Sequence, residues 1–233
     1  AENKVLSLEG DGDYIEIPEG VWFDGDLTIE AWVFIRKYTN WSMVIDFGNG
    51  VEQDNVFFSY SGDESGLPSF VVWPKTKSPE YERIESDARL ELNSWVHLTC
   101  TLNGNSGTIY INGVEVGSGN IATPPNNVIR KSNFIGRSNW HDQEGVPDAN
   151  VMYDEIRIWN IAKSTAEIQS TMNTSLSGDE EGLLGYWNFN DGTAKDLTPN
   201  GNDGEMKGDA QIVNLNDLPV GITIEGNICN PAK

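Results

Sequence analysis

The sequence predicts an all-β sandwich carrying one short helix. Three observations predict it. Apolar and polar residues alternate over many short runs, the two-residue period of a half-buried strand. Gly, Asn, Asp and Ser clusters punctuate those runs as turns would. A single segment carries a helix-start signature.

The first run is residues 5–8, where Leu6 and Leu8 share a face. A turn, Gly10-Asp11-Gly12-Asp13, leads into residues 14–17, where Ile15 and Ile17 alternate with Tyr14 and Glu16. Residues 27–35 put Leu27, Ile29, Ala31, Val33 and Ile35 on one face and Thr28, Glu30, Trp32 and Phe34 on the other. That second face is partly aromatic, so this strand is expected to be central and covered on both sides. Further strands are expected at 42–47, 56–60, 69–73, 95–102 and 108–112. A hairpin loop is read at 103–107 and a tight turn at Asn112-Gly113. Two more strands follow at 134–136 and 156–159. Ser164-Thr165-Ala166-Glu167 is a capping box, and Ile168 and Met172, four apart, could share its buried stripe. Residues 185–189 read as one more strand, a polar Asp/Asn/Gly segment runs to Gly208, and 213–224 read as a strand or a tail. The long loop 74–83 interrupts the pattern, and such loops often carry function. The expected division is one domain over 1–210, then a C-terminal strand or tail over 211–233 that packs on it or leads to a next module.

Composition narrows the function. The formal charge is −21, from 36 acidic and 15 basic residues. Phosphate backbones and anionic membrane surfaces would be repelled, so nucleic acid is excluded as a partner. The acidity has two readings, a solubility device or a set of cation ligands. No apolar run reaches the length of a membrane span, so membrane insertion is not expected. No leader is seen at Ala1, which fits a mature form or an excised domain. Cys100 and Cys229 show no C-x-x-C spacing; either one disulfide joins them or both are free.

Four segments together carry a family resemblance: residues 6–15 (LSLEGDGDYI), 27–33 (LTIEAWV), 95–98 with 109–113 (WVHL, IYING), and 154–160 (DEIRIWN). In that order the chain resembles the laminin-G-like domains of the concanavalin-A-like lectin/glucanase superfamily, in the branch nearest pentraxins. The match runs over about residues 4–208. The resemblance implies a jelly-roll β-sandwich of two antiparallel sheets, one of them concave, and an extracellular binding or adhesion module. Residues 185–189 with Asp196 and 201–204 are similar to bacterial members. In many relatives that piece precedes the first strand; here it follows the helix, and it either completes this domain or belongs to a neighbour.

The resemblance also implies calcium. Asp54 and Asn55 look like the Asp-Asn pair that ligates calcium in pentraxins. The loop after Phe134-Ile135-Gly136 would supply the rest from Asn139, His141, Asp142, Glu144 and Asp148, although it lacks the acidic-amide-acidic run of pentraxins. Calcium suits such mixed hard oxygen ligands. The alternative is two ordinary solvated loops. A second expected site joins Asp11, Asp13 and Asp154, with Asp196, Asn202 and Asp203 as further candidates. Its alternative is plain turn chemistry.

Trp41, Tyr60, Trp73, Tyr81 and Trp140 lie in or beside expected loops and strand ends, where rings could stack on sugars or hold a peptide side chain. Trp32, Trp95, Trp159 and Trp187 are assigned to packing. Catalysis is not expected. No Glu-x-Asp-x-Glu run sets paired carboxylates on one strand face, and Glu80, Glu82 and Glu85 flank a proline-containing loop. His97 and His141 have no Gly-x-Ser-x-Gly partner motif, and His97 is expected to pack or lie on the surface. The expectation is a calcium-dependent module for a neutral or cationic ligand, polysaccharide first and peptide second, within a larger secreted protein. The alternatives are a structural or interaction domain of an adhesin or secreted enzyme, and a polysaccharide hydrolase. Sequons stand at Asn40 and Asn173.

Overall fold

The computed structural model describes residues 3–75, 81–143 and 145–217. The strands in chain order are β1 (Lys4–Glu9), β2 (Tyr14–Ile17), β3 (Leu27–Ile35), β4 (Ser42–Gly48), β5 (Asn55–Ser61), β6 (Ser69–Trp73), β7 (Glu82–Glu85) and β8 (Trp95–Asn103). They continue with β9 (Ser106–Ile111), β10 (Val114–Asn120), β11 (Ser132–Ile135) and β12 (Asn150–Trp159). After helix α1 (Thr165–Thr171) come β13 (Leu183–Trp187), β14 (Glu205–Lys207) and β15 (Gln211–Asn214).

Two antiparallel sheets form the expected jelly-roll sandwich. The first runs β10-β9-β8-β3-β12-β1-β15, and the second β14-β2-β11-β4-β5-β6-β7. Strand β12 is long enough to serve two partners along one side. Its first half pairs β1 and its second half pairs β13, while β3 runs along the other side. The Gly185–Phe189 segment therefore completes this domain. Residues 211–214 form the edge strand beside β1 and pack on it. Cys100 is buried on β8; Cys229, and so the disulfide question, lies outside the described residues. No described helix is long and apolar enough to cross a membrane.

The inner faces meet in one core that includes Leu6, Leu8, Ile29, Val33, Phe47, Phe58, Phe70, Leu98 and Trp187. Period-two alternation delivers these side chains inward, and their removal from water is the main stabilising term. Tyr60 belongs to this core, which corrects the expectation that it meets a ligand: it has no exposed surface, and burial pushes its hydroxyl up to about 12.

The outer face of the first sheet is also sealed, as the aromatic second face of β3 predicts. Val5, Trp32, Phe34, Trp95 and Met152 form one outer cluster. Beside it lies a buried ionic network. Glu30 Oε1 accepts from Trp159 Nε1 at 2.9 Å, with Lys163 Nζ 3.5 Å away and an Arg157 nitrogen at 3.7 Å. His97 Nε2 sits 3.4 Å from the other Glu30 oxygen. Arg157 pairs with Glu155 at 2.6 Å, and Tyr186 donates to the same Glu155 oxygen at 2.7 Å. Burial alone would raise the Glu30 pKa. The His97 contact and the Arg157 and Lys163 charges outweigh it and hold the carboxyl well below its ordinary range.

Helix α1 and the turn after it cap this network. Ser164 and Glu167 close the expected capping box, with Glu167 accepting from Ser164 N at 2.7 Å. Ile168 is the buried residue of the helix. The carbonyls of Thr171 and Met172 accept from Arg157 and from Trp32 Nε1, at 3.1 and 2.8 Å.

Candidate functional site

The outer face of the second sheet carries a cleft of about 260 Å³. Alternation builds it. On β5, Val56, Phe58 and Tyr60 point into the core, so Phe57 points out. On β6, Phe70 and Val72 point in, so Val71 and Trp73 take the outer face. Irregularities in the β4–β5 register turn Met43 to the same side. Met43, Phe57 and Val71 make a buried floor, and Trp41, Trp73 and Trp140 pack on it half-buried.

The rings stand at different angles around the floor. Trp73 and Tyr81 stack at 4.7 Å with 28° between planes, and Tyr81 is 42% exposed. Trp140 lies 5.1 Å from Trp73, tilted by 44°. Trp41 stands at 90° to Phe57, with the Arg83 guanidinium carbon 4.8 Å from the Trp41 ring centroid. Asn40, Gln143 and Val146 complete the rim. Four of the five rings picked from the sequence thus meet in one cleft. Reading the alternation through 56–60 would have replaced Tyr60 by Phe57. Gln143 gave no sequence signal, and Asn40 stood out only as a sequon.

Trp140 rides on the loop that leaves β11 at Gly136. The φ of +81° there turns the chain outward, and a side chain at that position would strike Leu8. The loop is tied down by Asp46, which sequence reading missed. Asp46 is fully buried. Its carboxylate accepts from Asn139 N at 2.7 Å, Asn139 Nδ2 at 2.9 Å and Asn55 Nδ2 at 3.1 Å. Ser138 Oγ, 3.4 Å from the same carboxylate, accepts from Trp140 N at 3.1 Å. Burial pushes the Asp46 carboxyl up to about 6, and these donors only partly offset it.

This arrangement accounts for the residues expected to hold calcium. Asn55 and Asn139 serve Asp46. Asp54 accepts from Asn126 Nδ2 at 3.3 Å, and its carbonyl accepts from Arg130 Nε at 2.8 Å. Asp148 takes both arms of Arg137, at 2.8 and 2.7 Å. Asp142 is exposed, and its carboxylate lies 3.3 Å from His141 Nε2. Glu144, like Glu80 of the loop before β7, lies outside the described residues. The described members do not converge on one point: Asn55 and Asn139 meet at Asp46, while Asp54, Asp142 and Asp148 each face a different protein group.

The second expected site does not assemble either. Asp13 accepts from the backbone of Glu9, Gly10 and Asp11, which is turn chemistry, and Asp11 is exposed. Glu9 pairs with Asn150, so Asp154 lies four residues further along β12, about 13 Å at the strand rise. Asp154 is buried at a β-bulge, where burial and the Glu155 charge raise its pKa well above the usual range. Asp196 accepts from Tyr186 N, Thr198 and Asn202 N, and Asp203 accepts from Asp196 N at 2.9 Å. Among the described residues no three His, Cys, Asp or Glu side chains group as metal ligands.

Residues 9–169 match the family described as the concanavalin A-like lectin/glucanases superfamily, in its laminin G branch. The chain belongs to that family. A candidate carbohydrate-binding protein from Bacteroides ovatus superposes with a TM-score of 0.69 at 18% identity, covering 95% of this chain and 62% of that one. Domain 4 of an extracellular arabinanase from Geobacillus stearothermophilus, solved with arabinotriose, gives 0.56 at 20% identity over 71% of this chain and 75% of that one. Domains LG4-5 of the mouse laminin α1 chain give 0.53 at 12% identity over 68% and 41%. The chain thus spans 62% of the length of the Bacteroides ovatus protein. No curated protein sequence matches it significantly.

Proposed function

We propose that this chain is a non-catalytic glycan-binding module of a larger extracellular protein, and that the cleft on the second sheet is its site. The convergence of Trp41, Trp73, Tyr81 and Trp140 on one small cavity carries this reading. Aromatic faces pack against the C–H faces of sugar rings, contributing large contact area at low conformational cost. The cavity sits near the small end of ligand pockets, so it suits one or two sugar residues rather than a long chain. The carbohydrate-binding neighbours support the same class.

Glycoside hydrolysis needs two facing carboxyl groups. The described lining contains none, and Asp46 beneath it is enclosed by donors. Calcium plays no part in the binding step of this reading, since ring and amide contacts suffice. Titration calorimetry on the hits of a polysaccharide panel tests it. Trp140→Ala and Trp73→Ala are each expected to weaken binding tenfold or more, the scale of one lost aromatic anchor at about 1.4 kcal/mol per decade. Undiminished affinity in both variants would remove the cleft from consideration.

A further inference from the structure

We infer that the cleft selects uncharged glycans over uronate-bearing and sulfated ones; this rests on the cleft being the glycan site. The chain carries 36 acidic and 15 basic residues, yet the described lining of the cleft holds no charged side chain. An anionic sugar would need a cation there, because desolvating a carboxylate or sulfate without a partner is costly.

Arg83, over the lining Trp41, and Arg137, which precedes the lining Ser138 in the chain, are both committed. Arg83 lies over the Trp41 ring, donates through Nε to Ser69 Oγ at 3.2 Å, and pairs with Glu85 and, at 3.6 Å, with Asp63. Arg137 is held in both arms by Asp148 and stacks 3.7 Å from the Tyr14 ring centroid. Neither can offer the forked pair of donors that recognises a carboxylate or sulfate. The surplus negative charge of the protein adds a repulsion that salt screens only partly.

Hydroxyl groups fit better. Gln143 at the rim carries an amide that both donates and accepts, the complement of a sugar hydroxyl, and Asn40, whose Nδ2 donates to Gly145 O at 2.7 Å, adds an amide oxygen that accepts.

The test is an array holding neutral, uronate-bearing and sulfated glycans, probed with the wild-type chain, Trp73→Ala and Trp140→Ala. A salt titration of the best hit follows. The expected result is hits confined to neutral glycans, lost in both variants, with an affinity that changes less than twofold between low salt and 1 M NaCl. Charged hits that equal or exceed their neutral counterparts, and that vanish in the tryptophan variants, would overturn the selectivity and leave the cleft standing. A steep fall of affinity with salt would do the same. Neutral hits that survive both substitutions would overturn the cleft itself, and binding to no glycan would overturn both.

Discussion

The two sheets turn different outer faces away from their shared core. On the first, Glu30, His97, Glu155, Arg157 and Lys163 are buried and answered by one another under α1. On the second, half-buried tryptophans and an exposed tyrosine ring a small cavity with no charge in its described lining. Acids and bases of the kind usually read as active-site residues thus hold the helix in place. The uncharged rings, which are usually read as core, are left facing solvent. What separates structure from function here is whether a group already has a partner. Glu30 is surrounded, whereas Tyr81 and Trp140 offer faces that the protein does not cover.

The comparison breaks most visibly if the buried network is cut. Glu30→Gln leaves Arg157 and Lys163 without their shared anion, and removing one partner of a buried pair costs about 3–5 kcal/mol. The denaturant midpoint should fall accordingly, while the folded protein keeps its glycan affinity within about twofold, the tolerance expected for a site with no shared partners. A large loss of affinity in the folded variant would tie the two faces together and undo the contrast.

A smaller effect belongs to Asp46 under the cleft. Its folded pKa is raised from 3.8 to about 6. A raised pKa means that protonation is easier in the folded state. The contribution is therefore fully present below the unfolded pKa and is lost as pH rises through about 6. Relative to Asp46→Asn, the wild-type chain should gain on the order of 2–3 kcal/mol as pH falls from 7.5 to 4, read from urea melts at each pH. Parallel curves would show that burial does not perturb this carboxyl. The smallest effect concerns metal. Unfolding in EDTA and then in millimolar calcium should give the same midpoint. A bound ion at a hundredfold excess over its Kd would add about 2.7 kcal/mol, several degrees for a domain of this size, so a calcium-specific rise of that order would restore the metal.

Much of this architecture was legible in the sequence. Alternation located the core strands, and its aromatic second face on β3 foretold a covered outer surface. Ser164 and Glu167 announced the helix. Trp41, Trp73, Tyr81 and Trp140 stood out because large rings beside loops have few inward places to go. The partners of the residues expected to hold calcium were not legible, because Asp and Asn serve tight turns, buried hydrogen-bond hubs and metal cages alike. Only the fold shows that Asn55 and Asn139 face Asp46, or that Asp148 faces Arg137. Tyr60 was misplaced by its position near a strand end, although its parity with Val56 and Phe58 already put it inside. Strand β10 escaped notice because Glu115, Ser118, Gly119 and Asn120 are exposed, and an edge strand facing solvent shows little alternation.

Amide hydrogen exchange with and without a saturating neutral glycan would separate the two faces most directly. The account predicts added protection in residues 40–43, 69–73 and 136–146, with none in 155–176 around the ionic network. Protection concentrated in 155–176, or on the β8–β9 and β9–β10 turns, with the cleft unchanged, would contradict it.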